Sequence, residues 1–213
     1  MIYVVIADIL NSERDCHNTW QPQNLLPEGI REYIGKTKNE KMRAERFLAY
    51  TTLLCSLERF FSVNDPIIER NPNGKPYLKN SNIQISISHC DGVAVTAICD
   101  EGQIGVDIQS VIDEEKAKRL EKRFFAEILL KNENVDVKYF SLEFSNNEAR
   151  FNEILPERDK NKDFLSKWVY TESVIKTYGL SFSDISKINE FASSTLAQIV
   201  DYKNFKIATT IAK

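Results

Sequence analysis

Three things are missing from this sequence. It has no pair of cysteines at C-x-x-C spacing, no apolar run long enough to span a membrane and no surplus of basic residues. The four cysteines, Cys16, Cys55, Cys90 and Cys99, are scattered, which argues against a zinc knuckle and a disulfide framework and fits a reduced, cytoplasmic setting. Met1 to Leu10 is apolar but short, contains Asp8 and lacks a basic leader, so it reads as a first strand and not as a signal peptide. Without a membrane-spanning stretch, no membrane partner is expected. Lys and Arg number 28 against 31 Asp and Glu, so no global basic field points to nucleic acid, and any anion site must be local. What is present is the composition of a globular protein. With 42% hydrophobic residues over 213 positions, the chain can build one sizeable core or two small lobes.

The run from Ile83 to Gln109, IQISISHCDGVAVTAICDEGQIGVDIQ, is the densest in strand and turn signals. Val93 to Cys99 and Ile104 to Ile108 are apolar and β-branched, and Cys90-Asp91-Gly92 and Asp100-Glu101-Gly102 supply turn residues between strands. The run therefore predicts a β-meander. Ser88 and His89 stand where its first strand ends, and Asp107 interrupts its last. Side chains alternate along a strand, so Asp107 and Gln109 share a face. A carboxylate buried there needs a cation or a donor beside it; on an edge strand it would simply meet water.

Along the rest of the chain, Ile2 to Ala7 predicts a strand, and 11–27 a polar connection marked by Trp20, Pro22 and Pro27. Helix resumes after Pro27, and Lys38 to Phe61 forms one long helix with Phe47, Leu48, Leu54, Leu57 and Phe61 at three- and four-residue spacings. Its first half is basic through Lys36, Lys38, Lys41, Arg43 and Arg46 against Glu40 and Glu45, which reads as a solvated face or an anion-binding patch. Asn71-Pro72-Asn73-Gly74-Lys75-Pro76 predicts a tight turn in which Lys75, held between glycine and proline, could be aimed at a ligand. Asp113 to Lys131 predicts a helix with Leu120, Phe124, Phe125, Ile128 and Leu129 as its buried stripe. Residues 132–162 read as an insertion or a short extra helix and carry no candidate site. Asp163 to Tyr178 predicts a second long helix capped by Gly179. Alternation in Ile185 to Phe191, Leu196 to Tyr202 and Phe205 to Ile211 predicts a second three-stranded meander. The fold class is α+β: a pseudo-twofold duplication of a lobe with a long helix on a small antiparallel sheet, residues 1–110 and then 111–213.

In the second helix Trp168, Glu172 and Lys176 are spaced four apart and line one face. Glu172 and Lys176 can be an exposed ion pair. If that face lies against the strand bearing Asp107, then Asp107, Glu172 and the carbonyl oxygen of Gln109 offer an oxygen-rich site suited to Mg²⁺, with Lys176 one turn on to neutralise a phosphate.

These residues carry a family resemblance. Gly105-Val106-Asp107, followed by Trp168 and by Glu172 to Lys176, resembles the two signature motifs of the 4'-phosphopantetheinyl transferase superfamily in its two-lobed, surfactin-synthetase-activating form. Asn73-Gly74-Lys75-Pro76, Ile87-Ser88-His89 and Arg123-Phe124-Phe125 match it in order, and the resemblance covers about residues 40–180. It implies two α+β lobes with coenzyme A in the cleft between them. Asp107, Glu172 and Gln109 are then the Mg²⁺ ligands, Lys75, Ser88, His89 and Lys176 contact the coenzyme A phosphates, and Arg46 serves the nucleotide 3'-phosphate. The implied reaction moves phosphopantetheine from coenzyme A to a serine of an acyl or peptidyl carrier protein, with Glu172 as base and a monomer as the working unit. The sequence departs from the family where Thr171 replaces a lysine, Gln109 an acidic residue and Thr51 an arginine. Two other readings stay open: a non-catalytic module that holds coenzyme A or a carrier protein, and a metal-dependent phosphodiesterase.

Overall fold

The computed structural model describes residues 1–8, 26–110, 112–122, 127–145, 148–161 and 163–212. The connection with Trp20 and Pro22, Cys16, and the Arg123-Phe124-Phe125 motif lie outside the described residues. The chain is mixed α+β, as expected. Strand β1 (Ile2–Asp8) is followed by helix α1 (Glu28–Gly35) and the long helix α2 (Glu40–Phe61). A hairpin, β2 (Ile68–Arg70) and β3 (Pro76–Leu78), precedes β4 (Gln84–Cys90), β5 (Val93–Cys99) and β6 (Gln103–Ser110). Next come α3 (Glu114–Leu120), β7 (Val137–Ser145), β8 (Glu148–Ile154), β9 (Glu157–Arg158) and helix α4 (Phe164–Tyr178). A 3₁₀ turn (Phe182–Lys187), α5 (Ile188–Ala192), β10 (Thr195–Tyr202) and β11 (Phe205–Ala212) complete the order. Among the described residues no helix is long and apolar enough to cross a membrane.

Two sheets stack face to face. The first runs β4-β5-β1-β7-β8 and the second β6-β11-β10-β9. Period-two alternation builds the layers: Ile2, Val4 and Ile6 of β1 and Val93, Val95 and Ala97 of β5 meet Ile104, Val106 and Ile108 of β6 and Ile207 and Ile211 of β11. On the outer face of the first sheet, Val5, Ala7 and Ala94 pack on Leu48 and Ala49 of α2. On the outer face of the second, Ala197, Ile199 and Ala208 pack on Val169, Tyr170 and Val174 of α4. The result is four layers, helix, sheet, sheet, helix.

The expected β-meander does not form. β4 and β5 pair as a hairpin, but β6 leaves them and pairs with β11, Ala208 opposite Asp107. The turn that redirects the chain needs Gly102, at φ +75°, where a Cβ would stand 2.3 Å from the Ala212 carbonyl oxygen. Four other expectations are corrected. Residues 132–162 hold the β7–β8 hairpin, and β7 joins the first sheet parallel to β1, with Ile2 opposite Val137. Each sheet thus draws strands from both sides of Ser110. Helix α3 is Glu114–Leu120, residues 127–131 are not helical, and Leu129, expected inside, is 71% exposed. Ile185 to Phe191 lies in the 3₁₀ turn and α5, where Ile188 packs beneath α4, so the second sheet is completed by β6 instead.

Candidate functional site

The redirection of β6 creates the site. β4 and β6 are edge strands of different sheets, and they are joined by side chains: Ser86 Oγ accepts from the Val106 amide at 3.0 Å, and Ser88 Oγ donates to Asp107 Oδ1 at 2.7 Å. The face of β6 that carries Gly105, Asp107 and Gln109 meets α4. Gly105 is needed there because a Cβ would lie 2.0 Å from the Ser173 carbonyl oxygen and 2.5 Å from Thr177 Oγ1. Helix α4 is fixed at its start by Asp163, whose side chain accepts from the Ser166 amide, and at its end by Gly179 at φ +63°. That placement brings Trp168, Glu172 and Lys176 to a cavity of 460 Å³ that Asp107 also lines.

Asp107 sits on an edge strand, yet it is only 2% exposed. Its charge is met by Lys176 Nζ at 2.6 Å and by Ser88 on Oδ1, and by Gln109 Nε2 at 3.1 Å on Oδ2. Lys176 also donates to Ser88 Oγ at 2.8 Å, so Lys176 turns inward to Asp107. Glu172 lies one helical turn before it. Burial, and then the Asp107 charge, push its carboxyl up to about 7, with Lys176 opposing.

The opposite wall is cationic. Arg70 stacks on the Tyr33 ring at 3.6 Å and Arg46 on the same ring at 5.1 Å. Arg70 donates to the Gly74 carbonyl at 2.8 Å and to the Tyr50 hydroxyl, and Arg46 to Thr37 Oγ1 at 2.8 Å. Burial, and the positive charge of Arg46, lower the proton affinity of Arg70. Two guanidinium groups converging on one cavity are suited to an anion such as a phosphate. His89 stands between this wall and Lys176. Its Nδ1 faces Glu45 Oε2 at 2.9 Å, and Glu45 Oε1 accepts from the Gly92 amide at 2.9 Å. Burial lowers the His89 pKa against the opposing pull of Glu45.

Of the residues singled out in the sequence, Arg46, Lys75, Ser88, His89, Asp107, Gln109, Glu172 and Lys176 all line this cavity. Two point differently from the expectation. Gln109 turns its amide N–H, not its carbonyl oxygen, to Asp107. Lys75 donates its Nζ to the backbone carbonyls of Ile104 at 3.1 Å and Thr177 at 2.7 Å, and burial pushes its pKa down to about 8. Thr171 is fully buried and donates to the Lys167 carbonyl at 2.7 Å, so this position brings no charge to the cavity. Arg70, Tyr33 and Tyr50 are not among the residues singled out, and Glu45 figures there only as a counter-charge to the basic residues of α2. For Glu45 a signal existed: with Leu48, Ala49 and Thr52 it repeats at i, i+3, i+4 and i+7, on the buried face of α2.

Asp107 and Glu172 are oxygen donors turned into one cavity, and their mutual repulsion is of the kind a cation relieves. They fit Mg²⁺, which takes one or two carboxylates and completes its shell with water and phosphate oxygens. Among the described residues no group of three or more His, Cys, Asp or Glu is placed to hold a metal. No family model matches this chain, and no curated protein matches it.

Proposed function

We propose that the protein is a 4'-phosphopantetheinyl transferase, moving the phosphopantetheine arm of coenzyme A to a serine of an acyl or peptidyl carrier protein. The observation that carries this reading is the convergence of Asp107, Glu172 and Lys176 in one cavity whose other wall is Arg46, Arg70 and His89. An extended substrate with a phosphate monoester at one end and a diphosphate at the other matches that distribution of charge. The order helix, sheet, sheet, helix is taken as a pair of α+β lobes, with β6 of the first half and β7 and β8 of the second exchanged between the sheets. Because one chain supplies every wall of the cavity, the working unit is taken to be a monomer.

In this reading Arg46, Arg70 and His89 bind the nucleotide phosphate, while Lys176 and Ser88 face the diphosphate. Mg²⁺ held by Asp107 and Glu172 would neutralise charge on the diphosphate oxygens. The carrier serine oxygen attacks the β-phosphorus, the bond from that phosphorus to the bridging oxygen breaks, and adenosine 3',5'-bisphosphate leaves. The serine proton passes to the Glu172 carboxylate, which acts as general base. Lys176, within reach of the same phosphates, offsets charge on the departing group.

A second reading, a module that holds coenzyme A or a carrier protein without chemistry, is favoured by Gln109 donating to Asp107 and by the uncharged, buried Thr171. One experiment separates the two. Apo carrier proteins are incubated with the protein, coenzyme A and Mg²⁺, with and without a chelator, and weighed intact by mass spectrometry. The transferase reading expects one phosphopantetheine added only when metal is present, and no addition by Glu172→Ala. Turnover retained in that variant, or coenzyme A cleaved without any carrier, refutes it. Coenzyme A bound with no transfer to any carrier establishes the second reading.

A further inference from the structure

The turn between β2 and β3 reaches across the fold to the end of α4. Asn73 Nδ2 donates to the Gly179 carbonyl at 2.8 Å, and Asn71 Nδ2 approaches the same oxygen at 3.5 Å. Gly179 admits this contact because it has no Cβ; one placed there would lie 2.5 Å from Asn71 Nδ2. Lys75 Nζ bridges two elements at once, bonding Ile104 on β6 and Thr177 on α4. Ile104 is three residues before Asp107, and Thr177 directly follows Lys176. The turn itself is closed by bonds from the Gly74 amide to the Asn71 carbonyl and from the Lys75 amide to Asn71 Oδ1, at 2.9 and 2.8 Å.

The last carbonyls of a helix have no partner within it and carry the negative end of its dipole, so a cation and an amide donor there are doubly favourable. We infer that Asn73 and Lys75 form a latch that sets α4 against β6, and that Lys75 is a positioning residue for Glu172 and Lys176 rather than a phosphate ligand. The ammonium satisfies both carbonyls from one point, which fixes the distance between the strand bearing Asp107 and the helix bearing its partners. The effect on turnover rests on the transferase reading; the effect on α4 does not.

Lys75→Met and the milder surface change Asn73→Ala test this by hydrogen exchange at the amides of residues 177–180, by calorimetric titration with coenzyme A, and by separate determination of kcat and KM. A latch predicts exchange at those amides faster by about tenfold or more in Lys75→Met, the loss of a charged donor's hydrogen bonds. It also predicts a lower kcat in both variants, with coenzyme A affinity kept within about threefold. Unchanged exchange, or affinity reduced about tenfold or more with kcat intact, overturns the inference and makes Lys75 a phosphate ligand. Failure of the unaltered protein to bind coenzyme A would sink the transferase reading, and the exchange measurement would still decide the latch.

Discussion

Replacing Lys176 by methionine isolates the interaction on which the site depends. The substitution keeps the length of the side chain and removes its charge. Asp107, 2% exposed, then keeps Ser88 and Gln109 as neutral donors and loses the ammonium that pairs with it. Breaking a buried pair costs about 3–5 kcal/mol. Lys176 is 27% exposed and two donors remain, so the cost falls to the bottom of that range or below it, about 2–3 kcal/mol. In a protein of this size that corresponds to a melting temperature lower by roughly 5–10 °C. Asp107→Asn should cost less, because the amide keeps an acceptor and the lysine can turn to water. The double variant should recover part of the loss, with a coupling energy of about 2 kcal/mol in the cycle. Urea denaturation of the four proteins in chelator measures all three quantities. A Lys176→Met protein as stable as the unaltered one, or a coupling of zero, would refute the view that this pair is buried and interdependent.

Two further predictions concern protonation. In chelator, the Glu172 carboxyl titrates near 7 when folded against 4.5 as a free side chain, so between those values the folded state binds the extra proton and stability falls as pH rises, by about 3 kcal/mol in all. Glu172→Gln should flatten this dependence and exceed the unaltered protein in stability at pH 8; a variant less stable there would contradict the assignment. The chain has two histidines, so imidazole resonances are simple to follow by NMR, and Glu45→Gln should move the His89 titration to still lower pH by removing the carboxylate that opposes its burial. An upward or absent shift would show that Glu45 does not face the ring.

The local elements were legible because their signals are local. The β-branched runs of β5 and β6, the uninterrupted apolar spacing of α2, the Asn-Pro-Asn-Gly turn and the Gly179 cap each reflect a preference of a few neighbouring residues. Placing Asp107 and Gln109 on one strand face, and Trp168, Glu172 and Lys176 on one helix face, followed from the two periodicities alone. Which strand β6 would pair with was not legible. Its alternation fits either sheet equally, and the choice rests on Gly102 at the turn and on Ile207 and Ile211 some hundred positions later. The β7–β8 hairpin was missed because its polar outer residues hide the alternation. Ile185 to Phe191 was mistaken for a strand because a short apolar run has no decisive period.

The sequence by itself determined the α+β class, the two long helices and the residues that can carry charge to a shared cavity. Only the tertiary structure decided that β6 crosses to the second sheet, that Lys176 turns to Asp107, that Lys75 reaches two backbone carbonyls, that Arg70 belongs to the cavity wall and that Glu45 stands behind His89. Periodicity fixes the face on which a side chain stands; the burial of a charge and the partner that compensates it depend on residues far away in the chain, and those meet only when the layers close.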